Sequence, residues 1–321
     1  MKTTSFYKIK ILSSRNFILS AVLIILLSLF SILDNTFFTI SNILLILKNN
    51  SSLGILAIGI TLTMISGEVD ISIGANMGLT SVIIGVLFTR GVNIWTCVLV
   101  GVITGILIGL LNSFLVLVLN INSLIATLGT LAIIQGLAFT IANGLSFSII
   151  EKVLGYIGRG IFFRVPFPVI LLIIISIIII LSLKYTKYGR YSIIIGFNSK
   201  VALLSGIRIK RIKFINLMFC AFLASIAGLI VTGNTGVAMP QHGGQGMELT
   251  VLSAAILGGA SLSGGGSIQG TILGVLILGV IYSGLTQFGI PVLLIQIIRG
   301  FLLILIVGLY EGKKNLNFGK G

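Results

Sequence analysis

Glu68 and Asp70 stand in the stretch MISGEVDISIG, residues 64–74, between two strongly apolar runs of a 321-residue chain that has only six carboxylates. In such a setting a carboxylate pair can couple transport to an ion, meet a basic partner surface, or satisfy the free amides of a helix start. The sole histidine, His242, lies in the polar loop NTGVAMPQHGGQGMEL. One histidine supports neither a Ser-His-carboxylate set nor a histidine-rich metal centre, so no catalytic residue and no metal ligand is assigned. Cys97 and Cys220 both lie in apolar runs, where a thiol packs as a small hydrophobe, and no paired spacing suggests a disulfide framework.

The elements that would position these residues follow from composition. With 56% hydrophobic and 8% charged residues and a mean hydropathy of +1.21, the chain has more apolar surface than a soluble core of this length could hide. The runs are rich in Ile and Leu and do not alternate with period two, which favours helices over a barrel. The expected fold is an all-α polytopic membrane protein with about ten transmembrane helices. The candidate spans are 17–33, 52–66, 71–89, 94–119, 123–142, 167–183, 214–232, 249–262, 268–288 and 291–309. The eighth, 14 residues, reaches only about 21 Å against a hydrocarbon core of about 30 Å.

Charge sets the expected orientation. The net charge of +15 is gathered in the N-terminus, in the segment 184–213 and in the tail with Lys313, Lys314 and Lys320. Lys and Arg stay on the cytoplasmic side, and an even number of crossings between each pair of basic segments places both termini there. The layout is a basic N-terminus 1–16, six helices over 17–183, a cytoplasmic loop 184–213, four helices over 214–309 and a basic tail 310–321. This distribution speaks for topology and against nucleic acid as a partner. No small-residue cleavage site follows the first run, so 17–33 is read as a retained span. The loop 143–166 carries Lys152, Arg159 and Arg164 yet falls outside by parity. Trp95 and Tyr185 sit at span ends, as interfacial rings do.

One helix over 52–89 would run about 57 Å, so the carboxylates mark a break, with Gly67, Glu68, Asp70, Ser72 and Gly74 as its motif. Gly67 can end the preceding helix in a left-handed conformation, and Asp70 is placed to cap the next. In the basic loop, Asn198 is a good N-cap, Ser199, Lys200, Val201, Ala202, Leu203, Leu204 and Ser205 form a short helix, and Gly206 stops it. Its apolar face needs a cover, either membrane lipid headgroups or a cytoplasmic protein. LSGGG at 262–266 has the letters of an ATPase signature loop, but without G-x-x-x-x-G-K-[ST] nothing could cradle the phosphates, and a tight turn accounts for it.

SGEVDISIG, IATLGTLAIIQGLAFTIANG, YGRYSIIIGFNSKVALLSGI and LTVLSAAILGGASLSGG resemble, in this order, the permease subunits of monosaccharide ABC importers, the ribose and xylose permease family. The similarity runs from about residue 40 to 310. The resemblance implies a permease that moves a small sugar or sugar-like solute by alternating access in the cell membrane. It also implies a second permease copy, a cytoplasmic ATPase subunit that binds ATP and Mg, and an extracytoplasmic binding protein, with no cofactor on this chain. Residues 198–206 would then be the coupling helix. Glu68 stands where the family usually has a second glycine, and Ser123 and Leu124 where it has a Pro-Phe pair. A sugar path needs donors and acceptors, for which Asn76, Asn112, Gln135, Tyr282, Gln287 and Gln296 are the candidates. The competing reading is an ion-coupled secondary carrier using Glu68 or Asp70; His242, Gln245 and Glu248 belong to a loop that a binding protein or solvent would meet.

Overall fold

The computed structural model describes residues 15–301 and 304, apart from 245, 263, 292 and 299. Its long helices are α1 (Arg15–Leu33), α2 (Ile40–Ile65), α3 (Ile73–Thr89), α4 (Ile94–Leu117) and α5 (Ser123–Ala142), followed by α7 (Phe167–Tyr185), α10 (Ile209–Thr235) and α12 (Ile268–Gln287). Shorter helices are α6 (Lys152–Arg159), α8 (Lys187–Phe197), α9 (Ser199–Leu204) and α11 (Met247–Gly258). Two small antiparallel ladders complete it: β1 (Phe147–Ser148) on β4 (Val237–Ala238), and β2 (Ile161–Phe162) on β3 (Val165–Pro166). Local chemistry sets many of the boundaries. Asn93 accepts from the Trp95 amide at 2.9 Å, Asn122 from Leu124 at 3.0 Å and Ser267 from Gly270 at 3.2 Å, each satisfying an amide that a helix start leaves free.

The core is built on α2 and α10, whose buried faces meet each other and α3, α11 and α12. Cys220 packs against Gly59 and Ser66 bonds Asn216, so α2 and α10 run antiparallel; α4 runs against α3 and α10, and α12 against both α2 and α11. One end of the bundle therefore gathers the α2 C-terminus, the start of α10, the basic segment 184–213 and the α11–α12 turn. The opposite end holds α6, both ladders and the turn at residues 34–39. Helices α1, α4, α5 and α7 present Ile, Leu and Phe outward, a surface suited to lipid.

Among the described residues, seven helices are long and apolar enough to cross a membrane: α1, α2, α4, α5, α7, α10 and α12. Of the about ten spans expected, two are short. The break at 66–72 leaves α3 with 17 residues, and α11 has 12, about 18 Å, because an irregular segment at 236–246 occupies the stretch before it. The second span begins at Ile40 and not at 52, since the polar run Lys48 to Ser52 is carried inside the helix. Of the expected span 291–309, residues 293–298 are helical, and much of its C-terminal half lies outside the described residues, as do 1–14 and the tail 310–321.

Candidate functional site

Three polar features interrupt this apolar bundle. The first is the α2–α3 break. Gly67 takes φ +79°, the left-handed conformation that closes α2. Asp70 is buried, and its Oδ1 accepts from the Ser72 amide at 2.9 Å and the Ser72 hydroxyl at 2.6 Å, while Oδ2 accepts from Asn112 Nδ2 at 3.2 Å. Asp70 thus closes a turn ahead of α3 and is not its cap: Ser72, two residues on, occupies the cap position without a side-chain cap bond. Glu68 pairs with Lys213 Nζ at 2.5 Å. Val69 and Ile71 donate their amides to Ser123 and Thr127 of α5 at 3.2 Å each. Gly74, at the start of α3, meets Gly243 and Glu248, so the segment before α11 folds back on α3.

That segment also corrects the expectation of a solvated loop. His242 is buried, with Nδ1 2.9 Å from Ser81 Oγ and Nε2 3.3 Å from Thr235 Oγ1. Ser81 Oγ in turn lies 2.7 Å from Thr232 Oγ1, so the ring links α3 and α10 through hydroxyl groups. Gln245 lies outside the described residues.

The second feature is the helix in the basic segment. Asn198 accepts from the amides of Lys200 at 3.0 Å and Val201 at 3.1 Å, and Gly206 follows the helix with φ +74°. Ala202 is fully buried against Ile195, Ile207 and Ile212. Val201, Leu203 and Leu204 are 51%, 66% and 89% exposed, beside exposed Lys200, Arg208, Lys210 and Arg211. A buried network ties this unit to the break. Tyr188 donates its hydroxyl to Asn216 Oδ1, and Asn216 Nδ2 donates to Ser66 Oγ at 2.7 Å and Ser192 Oγ at 3.5 Å. Burial pushes the Tyr188 phenol up to about 12, which keeps it a hydrogen-bond donor at neutral pH.

The third feature is a cavity of about 330 Å³ between α2, α11, α12 and residues 293–298. Of the six candidate path residues, Tyr282 lines it. The others are placed elsewhere. Asn76 bonds the carbonyls of Gly105 and Ala221 at 3.3 and 3.2 Å, joining three helices, and Asn112 holds Asp70 and Ser72. Gln287 donates to Asp34 at 2.6 Å at the bundle end, Gln135 is half-buried on α5, and Gln296 is exposed. Asn49, Asn50 and Ser52, which sequence reasoning left out of its spans or passed over, line the cavity; their i, i+1, i+3 spacing within a polar run was the available signal.

Residues 42–307 match the family model described as the permease component of the branched-chain amino acid transport system. The ribose import permease protein RbsC of Bacillus subtilis (strain 168) is 34% identical over 296 residues, 91% of each chain, and that of Escherichia coli (strain K12) is 32% identical over 91% of this chain and 92% of its own. The L-arabinose ABC transporter permease protein AraH of Azospirillum brasilense is 30% identical over 92% of this chain and 88% of its own. No solved structure matches the chain. The chain belongs to this family of ABC importer permeases. It is a multi-spanning component of the cell membrane and not an enzyme; ATP hydrolysis belongs to a partner ATPase, and a binding protein is the other partner such permeases imply.

Proposed function

We propose that this permease imports a small sugar or sugar-like solute as a pair of identical copies, with both termini and the segment 184–213 in the cytoplasm, and that residues 198–206 are its coupling helix. The single observation that carries the docking assignment is the helix itself. Three apolar side chains stand exposed at a strongly basic end of the bundle, on a helix whose own Ala202 is locked into the protein beneath. Such a surface suits a groove on a cytoplasmic ATPase, where the apolar face is covered and the flanking cations meet acidic groups. The basic end faces the cytoplasm on the retention of Lys and Arg there.

The same geometry supports a mechanism. ATP and Mg, bound in the ATPase pair, draw its subunits together, and the coupling helices follow. Each α9 moves with α8 and the start of α10, because Ala202, Ile195, Ile207 and Ile212 form one packed cluster. Tyr188, Asn216 and Ser66 pass the displacement to the α2–α3 break, where Glu68 and Lys213 already join the two regions. The break then lets α2 and α3 tilt separately between outward-open and inward-open states. On α5, Gly129 and Gly136 have open space above them, a small-residue face on which the second copy packs.

The ion-coupled alternative finds no free carboxylate in the break: Glu68 is paired with Lys213, and Asp70 accepts three hydrogen bonds. The test is reconstitution of this permease with its ATPase and binding protein in proteoliposomes. Uptake of a pentose or hexose that requires ATP and is indifferent to ion gradients supports the reading; uptake driven by an ion gradient without the ATPase overturns it.

A further inference from the structure

The path residues chosen for being polar inside apolar runs mostly turn out to bond other helices, which leaves open where this chain meets its solute. In the cavity between α2, α11, α12 and residues 293–298, polar side chains face open space. Asn49, Ser52 and Ser283 line it, and their side chains make no hydrogen bond within the described residues. Ser52 is buried there and Asn49 stands exposed at the edge, so the cavity is open to water or to a polar solute. The volume, about 330 Å³, falls at the lower end of the roughly 300–1,000 Å³ of small-molecule sites.

We propose that this cavity is a solute subsite of the translocation path, shaped for the hydroxyls of a monosaccharide or a similarly small neutral polyol; the assignment rests on the sugar-importer reading above. Its chemistry is specific. None of the described residues that line it is charged, so they offer nothing to hold the ammonium or carboxylate of an amino acid. Asn49, Asn50 and Ser52 from α2 face Tyr282 and Ser283 from α12, and Thr250 sits in the first turn of α11. Donors and acceptors thus stand on opposing walls, with Leu and Ile side chains between them to meet the C–H faces of a sugar ring. Position agrees with the role. Asn49 to Leu53 lie in the middle of α2, and α11 begins at the same cavity as a half-length helix, the arrangement in which broken helices build transport sites near the membrane midplane.

Gly279 supplies a test that touches no polar group. A Cβ there would stand 2.5 Å from Asn50 Nδ2, so Gly279→Ala pushes that amide into the cavity and narrows it. In proteoliposomes containing the whole importer, Asn49→Leu and Gly279→Ala are each expected to lower ATP-driven uptake of D-ribose or L-arabinose about tenfold, the scale of one lost hydrogen bond to a solute. Independently of uptake, Tyr282→Cys is expected to react with a membrane-impermeant methanethiosulfonate reagent and to be slowed by the transported sugar but not by L-leucine. Ile24→Cys, on the lipid-facing side of α1, is expected to stay unreactive. Wild-type uptake of the sugars with undiminished uptake by both variants overturns the subsite and leaves the importer reading intact. An inert Tyr282→Cys in a sugar-transporting importer, the result if the cavity holds lipid chains, overturns it as well. Failure of the wild type to take up any monosaccharide overturns the importer reading, and the subsite falls with it.

Discussion

The α2–α3 break and the α9 helix are opposite solutions to the same problem. At the break, charged and hydroxyl groups are buried in an apolar bundle, and nearly every one has a partner: Glu68 has Lys213, Asp70 has Ser72 and Asn112, and Ser66 has Asn216. At α9, apolar groups stand in water among cations, and Leu204 has no cover among the described residues. Polarity where it is costly has been satisfied internally, so those residues hold the structure. Apolarity where it is costly has been left uncovered, so those residues await another molecule.

Leu204→Asp gives the sharpest contrast. Since Leu204 is 89% exposed, its replacement should change folding stability by no more than about 0.5 kcal/mol, while uptake in proteoliposomes with the ATPase present should fall to background. The corresponding pull-down should lose the ATPase. Normal uptake by this variant would break the comparison at its most exposed point.

Asp70→Ala should do the reverse. It strands the Ser72 amide and leaves the Ser72 hydroxyl without its acceptor in the interior, at a cost of about 2–3 kcal/mol read as a lowered melting temperature in detergent. Asp70→Asn keeps an acceptor for the Ser72 amide and should lose less. A variant that melts normally yet no longer transports would move Asp70 from the structural side of the comparison to the functional one. Asn216→Leu probes the connection between the two regions: protein of near-normal amount should retain ATPase binding, with ATP hydrolysis proceeding while uptake is lost.

How much of this was legible beforehand depended on range. Helix α5 has the bounds expected from its apolar run, 123–142, and Asn198, Gly206 and Gly67 act as the local rules of capping and left-handed glycine require. Helix α2 was read too short because Lys48, Asn49, Asn50, Ser51 and Ser52 lower the local hydropathy, although these same residues turn on a helix and put an amide face toward the cavity. The partners were not legible. Glu68 and Lys213 are 145 residues apart, and Asp70 and Asn112 are 42 apart, so no local pattern links them. His242 was placed by parity in a loop that a binding protein or solvent would meet; the glycine beside it, Gly243, is what lets that loop pack onto Gly74 and Gly78.

Between the two extremes lies the Glu68–Lys213 pair, partly buried, with side chains 14% and 18% exposed. A double-mutant cycle with Glu68→Gln and Lys213→Met should yield a coupling of about 1 kcal/mol, the upper range for pairs that solvent still reaches. A coupling near zero would make the pair incidental. One well above that value would make it a latch between α10 and the break, and the two regions would then share more than the Asn216 network.

Asp34 should give the smallest effect and a distinct sign. It is half-buried, and the Thr36 amide and hydroxyl, with a further bond from Gln287, hold its carboxyl below the ordinary value of 3.8. A carboxyl lowered by folding stabilises the folded state above its unfolded pKa and loses that contribution as pH falls through the lowered folded value. The difference in melting temperature between the wild type and Asp34→Asn should therefore be constant at neutral and mildly acidic pH and shrink only below about pH 3.8. A difference that already fades near neutral pH would mean that the groups responsible are not those around Asp34, and that this end of the bundle, like α9, is held by something other than its own hydrogen bonds.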